Sequence, residues 1–148
     1  MNTKSKKLHL TIKNIFKKHG LSSNHAKICA DALINAELVG APSHGVSRLK
    51  MYCDRIKKKL INACPKIKIK KISQSISHID ANNSIGFVAA DFGIKKAIKN
   101  AKKTGIGLVA IKNSSHYGLS GYYVEQAVRK NLIAMCFTNA PPAIAPHG

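Results

Sequence analysis

Apolar residues recur at helical spacing through the first sixty residues of the chain, and they predict three short helices. The first apolar stripe stops at Gly20, and the Ser-Ser-Asn sequence at 22–24 supplies an N-cap for the second helix, which ends at Gly40. The loop APSHGVS separates it from a third helix over 46–59. Residues 1–60 are therefore predicted to form an N-terminal helical segment.

The remainder of the chain, residues 61–148, has a pattern that predicts an α/β segment. Short strands are predicted over 67–72 and 75–80, although lysine and serine occupy many of their positions. Helical spacing of apolar residues returns over 84–103 and stops at Gly105. The predicted fold class is thus α/β, with N-terminal helices followed by a mixed sheet.

A strand–helix–strand pattern follows, with strands over 106–111 and 132–137 and a helix over 122–131. Such a βαβ unit makes its strands parallel, with a right-handed crossover. The residues beyond their carboxyl ends, among them His116 and Asn139, would then share one edge of the sheet, where ligands of open α/β folds bind. Two parallel strands cannot bury both faces of a sheet, so the sheet is expected to be incomplete.

The glycines at 105 and 107 invite comparison with a dinucleotide-binding loop. The sequence GIGLVA precedes a predicted strand, whereas a phosphate-binding GxGxxG follows a strand and opens a helix. We therefore expect a non-Rossmann fold, in which Gly105 ends the preceding helix.

The charge of the chain raises a different possibility. Its 148 residues carry 25 Lys and Arg against 6 Asp and Glu, a formal net charge of +19. Such an excess suggests binding to nucleic acid or to an anionic membrane. However, only Arg48, Arg55 and Arg129 are arginines, and the lysine runs fall on different predicted elements. This scatter favours solvated faces over a dedicated nucleic-acid patch.

The cysteines and the amino-terminal sequence bear on the cellular compartment. Four cysteines occur without a CxxC pair, so they fit no zinc or redox template. The first sixteen residues lack the uninterrupted apolar core of a secretory leader, and no apolar run is long enough for a membrane span. We expect a cytoplasmic protein that uses its cysteines as small buried hydrophobes.

The loop Ser43-His44-Gly45 and the helix after it are candidates for a binding site. On a helical wheel Arg48 and Tyr52 fall beside the apolar stripe, at the rim of the core. An arginine there is well placed to hold a carboxylate through two hydrogen bonds. The alternative is a capping loop followed by an ordinary surface arginine.

His116 presents the same two possibilities, because a histidine in a strand-to-helix loop can simply cap the helix. The neighbouring Ser114 and Ser115 are better suited to capping. The adjacent Tyr117 and Gly118 give the loop the polar, tight character of a site.

Two long stretches, LVGAPSHGVSRLKMY and AKKTGIGLVAIKNSSHYGLSGYYVEQAVRKNLIAMCFTNAPPAIAPHG, resemble the type 2 malate/L-lactate dehydrogenase family. The resemblance implies an NAD(P)-dependent oxidoreductase, with NAD or NADP as cofactor, that converts a 2-oxo acid to a 2-hydroxy acid. It also implies a cofactor fold other than Rossmann and a homodimeric assembly. The family's longer chains continue with a GG and LGTNP block, so we expect an N-terminal half of such an enzyme.

The resemblance implies roles for individual residues. His44 and His116 match the histidines to which the family's acid/base roles are assigned, and which of them donates the proton stays open. Ser43, Arg48 and Tyr52 match residues that line the substrate pocket. For cofactor contacts we expect the residues Ser120, Gly121 and Asn139. No metal is implied, and neither the particular 2-oxo acid nor the choice between NAD and NADP follows from the sequence.

Two alternatives to an enzyme remain. The chain could be a small basic nucleic-acid-binding protein whose charge is its function, or a non-functional remnant whose unpaired strands leave apolar surface exposed.

Overall fold

Three helices form the amino-terminal part of the protein in a computed structural model that describes residues 3–139. Helices α1 (Thr3–Lys18) and α2 (Ser23–Leu38) pack against each other, and the Ser22 hydroxyl caps α2 by accepting a bond from the His25 amide. Two 3₁₀ turns, Pro42–His44 and Val46–Arg48, lead into α3 (Leu49–Lys57). The predicted helices are confirmed, with the third one beginning as a 3₁₀ turn.

A three-stranded sheet follows, and its order is β1 (Lys68–Lys71), β2 (Ile76–Ser84), β3 (Leu108–Ser114). Strand β1 pairs antiparallel with β2, whereas β2 pairs parallel with β3. Helix α4 (Gly86–Thr104) connects the two parallel strands. The fold is therefore mixed α/β with a parallel βαβ unit, as predicted, but this unit is β2–α4–β3.

The βαβ unit predicted over 106–137 is wrong in its last strand. After α5 (Gly121–Val128) the described residues 129–139 contain no strand. Ile133, Met135 and Phe137 are 93%, 76% and 88% exposed, so the alternating apolar pattern is present without a neighbouring strand to pair with it. The expectation that Asn139 shares a sheet edge with His116 thereby loses its geometric basis.

The buried residues show how the helices and the sheet pack. On β2 the alternate side chains of Ser77, Ile79 and Ala81 are buried, and Ile79 and Ala81 pack with Ala89 of α4. The larger core contains residues from both predicted segments, including Phe16, Leu33, Tyr52, Ile61 and Phe87. A boundary near residue 60 stays a prediction.

The cysteines differ from expectation in part. All four thiols are unpaired, and Cys29 and Cys53 are buried as predicted, whereas Cys64 is exposed and Cys136 is only partly buried. Within residues 3–139, no helix is long and apolar enough to cross a bilayer.

Gly105 and Gly107 both have structural explanations. Gly105 ends α4 in the left-handed conformation, with φ of 81°, and its N–H donates to the Ala101 carbonyl. At Gly107 the chain passes so close to α4 that a Cβ would overlap the Ala97 carbonyl group. Gly107 therefore allows the start of β3 to lie against the backbone of α4. Both glycines are explained by the packing of the helix and the strand, without a dinucleotide-binding loop.

We expect Gly107→Ala to lower the free energy of unfolding by about 1–3 kcal/mol, because a rigid backbone must move to admit the methyl group. Gly121→Ala is the matched control, since the nearest atom to a Cβ there is Leu119 Cγ at 4.0 Å. Urea unfolding of the two variants checks this. Equal stability of the two would contradict the close approach.

Candidate active site

His44 lies in the loop between α2 and α3, where a set of short-range hydrogen bonds defines the loop's shape. Its Nδ1 is 3.0 Å from the Ser43 hydroxyl. The Arg48 Nε–H donates to the Ser43 carbonyl at 2.7 Å, and the Ser47 hydroxyl donates to the Pro42 carbonyl. The bond to Ser43 uses only Nε of the exposed Arg48, so it leaves the two Nη nitrogens for another acceptor.

His116 lies just beyond the end of β3 and is fixed from its inner side by Tyr52. The Tyr52 hydroxyl and His116 Nδ1 are 2.7 Å apart, although 64 positions separate the two residues. Tyr52 is fully buried, with its ring against that of Phe87 at 4.8 Å between centroids. The wheel placed Tyr52 at the rim of the core, and the structure instead makes it part of the core.

A second bond to His116 identifies the neutral form of its ring. The Gly118 amide donates to Nδ1 at 3.3 Å. An amide N–H can only donate, so Nδ1 must carry a lone pair, and the neutral ring holds its proton on Nε2. The Tyr52 hydroxyl then also donates to Nδ1. Because His116 itself is exposed, its Nε2–H is free to donate a hydrogen bond to a ligand.

The two histidines singled out in the sequence meet in space. Their rings stack with centroids 5.8 Å apart and planes 22° from parallel. The pKa of His116 is lowered, first because burial of its inner side disfavours the charged form and second because a charge on His44 would repel it. Arg48 and Arg55 contribute in the same direction. The two rings therefore resist being protonated to their cationic forms at the same time.

Two glycines allow this packing, Gly118, which the sequence marked as part of a tight loop, and Gly86, which it did not single out. At Gly86 a Cβ would overlap the carbonyls of Ser115 and His116, and at Gly118 it would strike the Phe87 ring. Gly118 also has φ of +78°. The Gly86 amide donates to the Ser115 hydroxyl at 3.1 Å, which ties the histidine loop to the start of α4. The contacts that explain both glycines join residues far apart in the sequence, so no local sequence signal could have shown these contacts.

The residues expected to contact a cofactor make no direct bond to the histidine pair within residues 3–139. Ser120 is the N-cap residue of α5, and Gly121 is its first residue. Asn139 is exposed. In the described part of the chain, no hydrogen bond or ring contact joins these three residues to His44 or His116. The structure thus brings together His44, His116, Ser43, Arg48 and Tyr52 through hydrogen bonds and ring contacts, and the three cofactor positions stay a prediction.

Comparison with known proteins gives this arrangement a context. Residues 3–148 match the family described as malate/L-lactate dehydrogenase. The chain belongs to that family. The malate/(S)-sulfolactate dehydrogenase of Methanothermus fervidus is 42% identical over 129 residues, which are 87% of this chain and 38% of that protein. A solved malate dehydrogenase from Pyrococcus horikoshii OT3 superposes with a TM-score of 0.83 at 41% identity, over 85% of this chain and 36% of that one.

The chain therefore matches a little over a third of the length of these malate/L-lactate dehydrogenase relatives, less than the half that the resemblance implied. Relatives differ in the cofactor that their names state. A ureidoglycolate dehydrogenase (NAD(+)) of Escherichia coli K12 is 33% identical over 95% of this chain and 40% of its own length. A (2R)-3-sulfolactate dehydrogenase (NADP(+)) of Chromohalobacter salexigens is 37% identical over 87% and 38%.

We expect His116 to titrate below the ordinary histidine pKa of 6.5, and His44→Ala to raise its pKa. The rise follows because the variant removes the neighbouring positive charge. Burial is the larger cause of the lowered pKa and persists, so the pKa should stay below the ordinary value. Histidine side-chain NMR over pH 4–8 measures this. The exposed His78 on β2 provides the control, and a His116 midpoint indifferent to His44→Ala would contradict the coupling.

Tyr52→Phe should weaken the preference of the His116 ring for the Nε2–H tautomer, because one of the two donors to Nδ1 is lost while the Gly118 amide remains. The variant keeps the aromatic ring against Phe87 and removes only the hydroxyl that bonds Nδ1. Nitrogen chemical shifts of the His116 ring should then change from an Nε2–H form toward a mixture of the two tautomers. Unchanged shifts would show that the Gly118 amide alone fixes the tautomer.

Proposed function

We propose that this chain forms the substrate-binding and proton-transfer part of an NAD(P)-dependent dehydrogenase that interconverts a 2-oxo acid and a 2-hydroxy acid. The observation that carries the proposal is the stacked His44–His116 pair beside the exposed guanidinium of Arg48. Malate and sulfolactate, the compounds in the relatives' names, are both 2-hydroxy acids. In such a substrate the carbon next to the carboxylate gains or loses hydride, and the oxygen on that carbon gains or loses a proton. The reaction therefore requires one anion-binding group and one acid/base group.

Arg48 supplies the first of these groups. Its Nε is engaged by the Ser43 carbonyl, which holds the guanidinium plane against the loop that carries His44. The Nη nitrogens can then donate to the two oxygens of a substrate carboxylate. Binding of this kind orients the 2-oxo carbon relative to the histidines.

The histidine pair supplies the second group, with His116 as the proton donor and His44 assisting. In the reducing direction, protonated His116 gives its Nε2 proton to the alkoxide that develops on the 2-oxo group. Loss of the Nε2 proton leaves the Nδ1–H tautomer, which is the opposite of the resting neutral form. In that tautomer the Tyr52 hydroxyl accepts from Nδ1–H, and the bond from the Gly118 amide to Nδ1 is broken. The lowered pKa of His116 makes the protonated ring a stronger acid than an ordinary imidazolium, and reduction should slow as pH rises through that pKa.

We assign the nicotinamide cofactor to the start of α5, and the open surface there supports this assignment. Gly121 is exposed, and Leu119 Cγ, 4.0 Å away, is the nearest atom that an added Cβ would meet, so a polar group can approach the helix end between Ser120 and Gly121. The exposed Asn139 amide adds a donor and an acceptor. When bound, the cofactor supplies or takes up the hydride. The remaining cofactor contacts are proposed to come from parts of the family fold that this chain does not match.

A chimera tests the proposal by placing residues 1–148 in the matched part of the Pyrococcus horikoshii malate dehydrogenase. We expect the chimera to oxidise NADH or NADPH in the presence of oxaloacetate, the 2-oxo acid that corresponds to malate. His116→Ala and His44→Ala should each lower turnover at least about a hundredfold. His78→Ala, an exposed histidine on β2, should leave it unchanged. Full turnover in both active-site variants would refute the assignment.

A further inference from the structure

Glu37 is one of only six acidic residues in the chain, and its side chain reaches across the loop that carries His44. Its Oε1 accepts a hydrogen bond from the Val46 amide at 2.7 Å, nine residues further along the chain. Val46 is the first residue of the 3₁₀ turn that leads into α3, and Gly45, at the N-cap position of that turn, has no side chain to cap it. Glu37 therefore takes the place of the missing cap from a different helix.

The place of Glu37 within its own helix argues against a role in stabilising that helix. It is the second-last residue of α2, where a negative charge opposes the helix dipole. It also forms no ion pair with a lysine or arginine in the described part of the chain, although basic residues are abundant. Its interaction is directed at the loop.

Gly45 provides the space for this interaction. The glycine is buried, and a Cβ at that position would overlap the Glu37 carboxylate. The glycine of the SHG sequence thus admits the Glu37 side chain beneath the loop. Neither residue can change without affecting the other.

The other hydrogen bonds of the loop do not replace this one. The bonds that join His44 to Ala41, Gly45 to Pro42 and Arg48 to Ser43 lie within the loop and define only its internal shape. The Ala41 amide donates to the Ala36 carbonyl and fixes where the loop begins. The bond from Glu37 to Val46 fixes the far side of the loop relative to α2, and His44 lies between these two attachments.

We propose that Glu37 is a positioning residue that holds His44 in its stacked arrangement with His116 by accepting the Val46 amide. The proposal rests on the proposed function only for the catalytic meaning of His44. Its structural content can be tested in the 148-residue chain without any activity.

The test measures exchange of the Val46 amide hydrogen by NMR. Glu37→Ala should speed this exchange about tenfold or more, because the acceptor is lost. Glu37→Gln keeps the Oε1 acceptor and should stay close to the natural protein. Glu125→Ala removes an exposed glutamate that pairs with Arg129 on α5, and it should have no effect on Val46. Unchanged Val46 exchange in Glu37→Ala would overturn the proposal.

A double-mutant cycle gives an independent result. Gly45→Ala should expel the carboxylate and speed Val46 exchange in the natural background, but it should add little in the Glu37→Ala background. An equal effect of Gly45→Ala in both backgrounds would overturn the coupling. If Glu37→Ala does not fold, Gly45→Ala and Glu37→Gln still test the proposal. Fast Val46 exchange is expected in Gly45→Ala and not in Glu37→Gln.

The catalytic consequence is tested in the chimera described above. Glu37→Ala should lower kcat while the KM for the nicotinamide cofactor and the Tm stay unchanged, and Glu37→Gln should restore kcat. A lower Tm with unchanged kcat would show a structural role alone and would overturn the positioning role.

Discussion

The hydrogen bond between the Tyr52 hydroxyl and His116 Nδ1 is the contact on which the candidate site depends. Tyr52 is fully buried, and an unpaired hydroxyl in that position would cost about 1–3 kcal/mol. Satisfying it requires a polar partner at the end of β3, and His116 is that partner. The same contact therefore completes the core and fixes the imidazole. Replacing Tyr52 would therefore be expected to change both the stability of the core and the orientation of His116.

The two histidines are held by different means. His116 is fixed from the core, through Tyr52 and through the close packing at Gly86 and Gly118. His44 is carried by an exposed loop whose order comes from hydrogen bonds among its own residues and from Glu37. The stacking of the rings joins these two supports. Their relative position thus depends on how α2, α3 and α4 pack, since Glu37 lies on α2, Tyr52 on α3 and Gly86 on α4.

Much of this arrangement follows from sequence pattern, and the failures have physical causes. The helices, the early strands and the fold class were predictable, because their apolar periodicity is satisfied within the chain. The strand over 132–137 has the same quality of pattern, yet the described residues offer it no neighbour. A strand is defined by its partner, so an apolar run alone could not establish it. The parallel pair accordingly forms one element earlier, between β2 and β3.

For the site, the sequence identified the residues, and the fold supplied their relations. His44, His116 and Arg48 could be singled out by residue type and loop position. The burial of Tyr52 could not, because its position falls three residues after Leu49 and four before Ile56 and is equally compatible with the apolar stripe or its rim.

The roles of Gly86, Gly118 and Glu37 depend on contacts with distant residues or across a loop. A pattern within one element has no access to such contacts. The charge of +19 is obvious in the sequence but does not mark the site, since lysines such as Lys68 and Lys70 occupy exposed positions of β1, far along the chain from the histidines. What distinguishes the site is therefore the small number of its polar groups that contact the core, and Tyr52 is the one that determines the orientation of His116.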